Sequence, residues 1–409
     1  RPDRCAVAVG LRNCKSLDSW VKGSVISICS PTSMFRTYKY RIRPTKLHEA
    51  TLLSWLDLTR ELYNAALQER NEAWRKQRKS ISKQLAEIRA LRPDIDVPVI
   101  AQRSVLGRVE KAYAAFFRRC KTGGQAGFPR FKSRKRWDSI EFENKTASGL
   151  IKGKRIFIPK MGLVRISLHR QIEGTPTTLK LKRINGKWYA MIGCDNVPKK
   201  QLSPTGREVG IDLGLLSFVA TSDGETFDNP RPMKTARLQL ERTQRRVTRR
   251  EKGSNRRRKV VVLLAKRHAR VANIRRENHI KVARSLVSKY DTIYIEALNI
   301  AALSKSRLSK SVNDSGWSYF KHWLSCKAEE ADRVIVEVDP RYTSQTCSGC
   351  GRVEKKALSV RIHECLCGLF LDRDINAAIN IKRLGSSLRR EALVVDRPQR
   401  PEKLSGKAR

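Results

Sequence analysis

The stretch Glu208–Phe227, EVGIDLGLLSFVATSDGETF, decides the fold. Short apolar runs are separated by Gly214 and by an Asp223-Gly224 pair, the dipeptide that closes tight hairpins. This pattern predicts three strands in an antiparallel meander. The first run ends on a carboxylate, Asp212. Further on, DTIYIEALNI (291–300) predicts a second buried strand, and it too ends on an acid, Glu296. An acid inside a hydrophobic strand is costly to bury without compensation. One such acid is commonly a satisfied oddity of the core, whereas two in separate strands of one α/β block point to a cation between them.

CLCGLFLDRDINAAINI (365–381) supplies a third acid. Ala377, Ala378 and Ile381 lie at i+3, i+4 and i+7 from Asp374, on the same face of a helix. The alanines permit close packing against the sheet, which would bring Asp374 to the same strand ends. Asp372, two residues earlier, is the better N-cap. Three carboxylates converging on Mg2+ or Mn2+ suit phosphodiester hydrolysis, and oxygen ligands with retained waters favour magnesium over zinc. Lone carboxylates are common, so spacing alone leaves the structural reading open.

The cysteines carry a stronger signal. Cys347 and Cys350 form a C-x2-C knuckle, and Cys365 and Cys367 return as a shorter C-x-C pair. Four thiolates in two pairs on a short loop read as a structural Zn2+ site. A disulfide is the alternative, and His363 is a possible substitute ligand for the short knuckle. The ribbon ends at Cys367 and the helix opens about five residues later, so zinc would pin Asp372 and thereby aim Asp374. Cys120, Cys194 and Cys326 are expected to be ordinary core thiols. Ten cysteines in 409 residues make no disulfide framework, which fits a reducing cytoplasm.

The chain carries 86 Lys+Arg against 39 Asp+Glu, a formal net charge of +47. That excess would destabilise a compact fold by self-repulsion unless a polyanion neutralised it, and nucleic acid is the expected partner. An acidic membrane surface is the alternative. The longest apolar run beside the basic tracts, Val260–Ala265, is too short to span or anchor. Residues 231–290 hold 21 Lys/Arg against 3 Asp/Glu, a bias that i,i+4 pairing cannot balance. They read as a long basic helical tract broken near KGSN (252–255), with Arg256, Arg257 and Arg258 as nucleic-acid contacts. GGQAGFPRFKSRKRW (123–137) sets Phe128, Phe131 and Trp137 among cations. Rings for stacking beside charges for phosphate make Phe128, Arg130, Phe131, Lys132 and Arg134 a second candidate surface, although such a loop can equally pack its rings inward.

Elsewhere, FRTYKYRIRPT (35–45) alternates like a strand ended by Pro44. Leu52, Leu56, Leu62, Tyr63 and Ala66 then follow helical spacing, with helices continuing to about Cys120 and a break at LRPDIDVPV (91–99). Residues 138–200 return to short Gly-punctuated strands, expected to form a small barrel completed by the first strand. Residues 1–33 are expected to be a disordered extension upstream of Met34; WVKGSVISIC (20–29) is too short and broken for a secretory segment. The tail after Gly385 is polar and basic, with little to pack.

Together, VGIDLG, IYIEALNI and CSGC…CLCG…LDRDINAAINI, in that order after MFRTYKYRIRPT and GFPRF, resemble the TnpB (OrfB) proteins of bacterial insertion sequences, compact relatives of type V CRISPR nucleases. The resemblance spans about residues 34–385. It implies an α/β, RNase H-like (RuvC) nuclease domain at 205–340 and 370–385, with a zinc ribbon inserted at 341–369. It also implies an OB-like β-barrel wedge domain at 34–45 and 126–200, interrupted by an α-helical recognition domain at 46–125, and a basic disordered tail at 386–409. The implied activity is RNA-guided, metal-dependent cleavage of double-stranded DNA beside a short adjacent motif. Its acids fall on Asp212, Glu296 and Asp374, and its guide RNA comes from the transposon end. A bacterial, nucleoid-associated cytoplasmic monomer is the expected form. The alternatives are a catalytically inert RNA-guided repressor and an accessory transposase. The C-x-C knuckle departs from the commoner C-x2-C form.

Overall fold

The computed structural model describes residues 33–77, 95–124, 126–143, 150–306, 308–357 and 360–395. The expected extension at 1–33 therefore lies outside the described residues apart from Ser33, which opens the first strand. Two compact units divide the chain at Pro198/Lys199.

In the N-terminal unit, β1 (Ser33–Arg43) buries Tyr38, Tyr40 and Ile42 and turns Lys39, Arg41 and Arg43 away from the core, the period-2 pattern of a half-buried strand. Pro44 ends it. α1 (Lys46–Gln77) buries Leu52, Trp55, Leu56, Leu62, Tyr63, Ala66 and Leu67 along one stripe, and α2 (Val99–Lys121) resumes the helical layer after Pro98. The strands that follow are β2 (Ser139–Glu143), β3 (Ile151–Lys152), β4 (Arg155–Ile158), β5 (Gly162–Ser167), β6 (Thr175–Ile184) and β7 (Lys187–Pro198).

These strands form one antiparallel sheet in the order β2-β6-β7-β1-β5-β4-β3. β1 lies mid-sheet, between β7 and β5. The expected barrel is not closed: among the described residues no ladder joins β2 to β3. β3 pairs over only two residues, and the inner side of β2 is sealed by α2, whose Arg108 donates to Ser139 O at 3.0 Å. The sheet is an open half-barrel with helices over one edge. Of the scattered thiols, Cys194 is a core group as expected, whereas Cys120 is exposed at the end of α2 and Cys326 is half-buried.

The C-terminal unit carries a mixed sheet, β10-β9-β8-β11-β12. β8 (Glu208–Asp212), β9 (Ser217–Thr221) and β10 (Thr226–Asp228) are the expected meander, turning through Gly224. β11 (Thr292–Glu296) and β12 (Val334–Val338) add in parallel. Between them run α3 (Pro232–Thr248), α4 (Asn255–Lys289), α5 (Ile300–Leu303), α6 (Ser309–Ser315) and α7 (Trp317–Ala331). The basic tract is thus a helical hairpin, broken where KGSN predicts. Asp314 caps α3 by accepting from Met233 N (3.0 Å) and Lys234 N (3.1 Å), and it pairs with Arg275 of α4 at 2.9 Å. A two-stranded ribbon, β13 (Ile362–Glu364) and β14 (Phe370–Asp372), leads into α8 (Arg373–Val395). No helix among the described residues is long and apolar enough to cross a membrane.

Strand parity sorts the two faces of this sheet. Val209, Ile211, Ile293 and Ile295 pack with Leu286 of α4 and with Phe320 and Leu324 of α7. Tyr294, Val336 and Val338 face the other way and pack with Ile381 of α8. Glycine makes the approach of α8 possible. A Cβ on Gly210 would sit 2.1 Å from Ala378 O, and one on Gly385 would sit 2.1 Å from the Tyr294 ring.

α8 also corrects the expected tail, because its helix continues ten residues past Gly385. Leu388 packs against the Tyr294 cluster, and Arg389 binds both Glu208 and Thr292 Oγ1 at 2.6 Å. The composition looked unpackable, but one leucine and one arginine dock the segment. Residues 396–409 lie outside the described residues.

Substituting Gly210→Ala should therefore lower stability by at least about 1–3 kcal/mol, since the added methyl meets backbone that cannot step aside. Chemical denaturation of the variant checks this, and an unchanged midpoint would contradict the close approach of α8 to β8.

Candidate active site

Register and parity bring two acids together. Ile295 pairs with Ile211 across the parallel β8–β11 ladder, so one step further Glu296 stands beside Asp212 at the carboxyl ends of both strands. Even-numbered residues of these strands face α8, and both acids share that parity. Ligand sites of open α/β sheets gather at such strand ends.

The third acid arrives from α8. Asp372 Oδ1 accepts from Asp374 N (2.8 Å) and Ile375 N (3.2 Å), satisfying free amides of the first turn as an N-cap does. That leaves the Asp374 side chain for the sheet, and behind it Ala377, Ala378 and Ile381 are buried as their spacing predicts. Gly214 makes room for it: a Cβ there would lie 3.2 Å from Asp374 Oδ2 and 2.6 Å from Ser217 O.

Electrostatics ties the three together. Burial pushes Asp212 well above the usual carboxylate range, and the negative charges of Glu296 and Asp374 push it further; the Leu213 amide and Arg373 offset only part. Burial likewise raises Glu296, against the hydroxyl of Thr343 and the charge of Lys321. Asp374 is raised by burial and by Asp372, against Arg361 and Arg373. A trio of mutually repelling, half-buried to buried carboxylates with too little positive charge around it is a site that fits a divalent cation. The carboxylates are set more widely than the cysteine ligands. Among the described residues, only Cys347, Cys350, Cys365 and Cys367 form a group whose ligand atoms all lie within 4.8 Å of one another.

That cysteine group fits zinc. The Cys347–Cys367 and Cys350–Cys365 sulfurs are 3.6 Å apart, close to the roughly 3.8 Å edge of a tetrahedron with Zn–S bonds of about 2.3 Å. All four thiols are free, which sets aside the disulfide reading. Burial pushes the Cys347 thiol up, but the Cys350 amide, His363 and the Gly349 amide outweigh it and bring it down to about 5, toward the thiolate that a metal needs. The short C-x-C pair reaches the cluster because Gly368, at φ 86°, turns the chain and donates to Cys365 O at 2.9 Å. His363 is buried beside Cys347, and the converging group is the four cysteines without it.

Sequence reading missed the polar residues that join ribbon and acids. The Thr343 hydroxyl donates to Glu296 Oε1. Asn380 Nδ2 donates to Thr343 O (2.9 Å) and Thr346 O (2.6 Å). Asn376 Nδ2 donates to Thr346 O (2.8 Å), and its Oδ1 accepts from Ser348 N (2.9 Å). Lys321 donates to Glu296 O at 3.2 Å and pairs with Glu337 at 2.8 Å. One signal was available: two asparagines at i and i+4 on the otherwise apolar face of α8.

The expected nucleic-acid surfaces divide. Phe128 and Phe131 are 50% and 56% exposed, beside exposed Arg130. Phe128 is braced by Phe116 at 4.6 Å, and Asn64 holds the Lys132 backbone from both sides (2.8 and 3.1 Å). Arg134 pairs with Asp57. Trp137, in contrast, turns inward and donates to Thr59 Oγ1 at 2.9 Å. On α4, Arg256 and Arg258 are exposed, whereas Arg257 folds back on Val247 O at 3.3 Å. Among the described residues, the ion pairs of this helix are Arg275–Asp314 and Lys289–Glu225. Arg256, Arg258, Lys259, Lys266 and Arg270 thus form an exposed basic track without carboxylate partners.

Comparison with known proteins gives consistent matches along the chain. Residues 192–307 match the OrfB (IS605-type) family described as a probable transposase. Residues 317–381 match a Cas12f1-like TNB domain. Residues 34–79 match a helix-turn-helix domain, although the described part of that span is one strand and one helix. A putative RNA-guided DNA endonuclease of Streptomyces pristinaespiralis is 31% identical over 367 residues, covering 86% of this chain and 89% of that protein. The putative RNA-guided DNA endonuclease InsQ of Escherichia coli K12 is 28% identical, covering 86% and 93%. In fold, the chain is similar to Cas12f1 as solved in a complex with sgRNA and target DNA, with a TM-score of 0.57 at 14% identity over 86% of this chain and 99% of that one.

Two outcomes are expected from this geometry. Metal analysis should find one zinc per chain, and Cys347→Ser should lose it and lower the melting temperature of the C-terminal unit. The second concerns Asp212, whose folded pKa lies above its ordinary 3.8. Its native state binds protons more tightly than the unfolded chain, so stability falls as pH rises from about that value through the folded one. Asp212→Asn should therefore melt higher than the parent at pH 7.5, by a few degrees, and lose stabilisation by added Mg2+. Melting curves with and without Mg2+ test this; a parent-like response of the variant would remove Asp212 from the cation site.

Proposed function

The chain belongs to the OrfB/TnpB family, and from that membership we propose that it is a transposon-encoded, RNA-guided DNA endonuclease that cuts target DNA through Asp212, Glu296 and Asp374. The observation that carries the residue assignment is the convergence of these acids from β8, β11 and α8, each with its proton affinity raised. The chemistry that bound Mg2+ or Mn2+ supplies is activation of the attacking water and stabilisation of the leaving oxygen in phosphodiester hydrolysis. The three carboxylates would hold the cations, and the Asp372 cap fixes the start of the helix that carries Asp374.

In this reading the C-terminal unit is an RNase H-like (RuvC) nuclease domain with an inserted zinc ribbon, and the N-terminal sheet is an OB-like wedge carrying a helical recognition insert, α1 and α2. Guide RNA from the transposon end and the target duplex neutralise the +47 charge. The track along α4 meets backbone phosphates, and Phe128 and Phe131 stack on unpaired bases. The target lies next to a short adjacent motif, and the protein works as a monomer in the bacterial cytoplasm, at the nucleoid. An inert RNA-guided repressor shares the scaffold but needs no trio of repelling acids. All three are present at the strand ends, and this favours the nuclease.

The test is cleavage by protein purified with its own RNA. Sequencing that RNA should return one structured species, and a matching duplex should be cut only with Mg2+ or Mn2+. Asp212→Ala or Glu296→Ala should abolish cutting while leaving RNA binding nearly unchanged, because affinity comes from the basic tracts. Non-specific DNA binding should weaken by about 10^3-fold or more between about 50 and 200 mM salt. Cutting retained by either variant would exclude that residue from the site.

A further inference from the structure

Glu296 is only 8% exposed. Among the described residues, the side-chain donor that reaches its carboxylate is the hydroxyl of Thr343, itself 3% exposed. The same hydroxyl oxygen lies 3.2 Å from Pro340 O. It has a single proton, and a carboxylate is the stronger acceptor, so the proton goes to Glu296. Thr343 is in turn held by its backbone, where its carbonyl accepts from Asn380 of α8. Asn380 and Asn376 together hold Thr346 O, and Asn376 also receives Ser348 N. These asparagines are 5% and 0% exposed, so water does not compete for their bonds. Asn376 sits two residues after Asp374 on the same helix, and the segment they grip, 343–348, contains the zinc-ligand candidate Cys347.

We propose that Thr343 is a positioning residue for Glu296, and that Asn376 and Asn380 lock the first cysteine knuckle to α8 so that the spacing between Glu296 and Asp374 is set through the ribbon. The inference rests on the reading of these acids as the cation site. The ribbon then reaches the chemistry through its first knuckle, and the link from Cys367 to Asp372 is no longer the sole tether. The device is economical in sequence: the segment leading into the first knuckle supplies the hydroxyl of Thr343 four residues before Cys347, and the helix that supplies Asp374 also supplies both clamps. Displacing a catalytic group by about 1 Å can cost on the order of 100-fold in rate, so a carboxylate with three rotatable bonds needs such a brace.

The experiment compares Thr343→Ser, Thr343→Val and Asn380→Ala in the full chain. Zinc content and melting temperature verify that each variant is folded. Cation binding is read by Mn2+ titration under electron paramagnetic resonance, taking Asp212→Ala as the baseline for sites elsewhere. Thr343→Val should weaken the Mn2+ binding above that baseline by about tenfold or more and lower the single-turnover cleavage rate about 10- to 100-fold at saturating Mg2+. RNA and DNA affinity should not change. Thr343→Ser, which keeps the hydroxyl, should behave as the parent, and Asn380→Ala should share the valine defect. If Thr343→Val binds Mn2+ and cleaves like the parent, the inference is overturned. Should Thr343→Val not fold, a Thr343→Ser variant as impaired as Asn380→Ala would overturn it equally. If Asp212→Ala itself binds Mn2+ like the parent, the assignment of the acids fails instead, and the two failures are thereby told apart.

Discussion

Three negative charges held at one end of a sheet are the constraint around which the C-terminal unit is built. Asp212, Glu296 and Asp374 repel one another in a poorly hydrated place, and each has its proton affinity raised. Left to themselves, flexible acids would turn to solvent. They do not, because each is fixed by something rigid. Asp212 ends the central strand, paired on both sides, Glu296 ends the fully buried strand beside it and is held by Thr343, and Asp374 opens a helix capped by Asp372. The glycines at 210, 214 and 385 belong to the same scheme, since each removes a Cβ where α8 or its acid comes against the sheet. Stability is given up locally so that the three acids stay in place, a compromise typical of functional sites.

The same imbalance recurs with opposite sign on the surface. Helices α3 and α4 hold several cations with no carboxylate partner among the described residues, and exposed pairs would contribute little even where they form. Asp314 is instructive here because it is spent on holding the helical hairpin together, as cap for α3 and partner for Arg275. Lys289 pairs with Glu225 and Arg237 with Glu241, whereas Arg256, Arg258, Lys259, Lys266 and Arg270 stay exposed with no carboxylate partner among the described residues. Exposed positive charge on the helical hairpin and buried negative charge at the strand ends are thus two separate imbalances in one unit.

The cysteine ribbon and the three acids are joined more intimately than chain order suggests. The ribbon precedes Asp374 in sequence, which points to a mechanical link through Cys367 and Asp372. The hydrogen bonds run by another route as well, from the first knuckle through Thr343 to Glu296 and through Asn376 and Asn380 to α8. Buried polar networks of this kind are strong only when every member is satisfied, and each of the four groups here has its partner.

Local physics made much of this legible in the sequence. Alternation and turn residues located the meander at 208–228, helical spacing put Ala377, Ala378 and Ile381 under Asp374, and thiol spacing announced a four-sulfur cluster, because each depends on residues close along the chain. The net charge of +47 named a polyanion without any structure. What depended on distant partners was not legible. The N-terminal sheet stays open because α2 seals β2 and β3 is too short to pair further. Trp137 turns inward because Thr59 waits for its indole, and the supposed tail stays helical to Val395 because Glu208 and Thr292 receive Arg389. Asn376 and Asn380 could be noticed as two asparagines on an apolar helix face, but nothing in the sequence names their partners or singles out Thr343. Only the tertiary fold gives them meaning, since a hydrogen bond between residues 47 apart in sequence leaves no trace in the spacing of either.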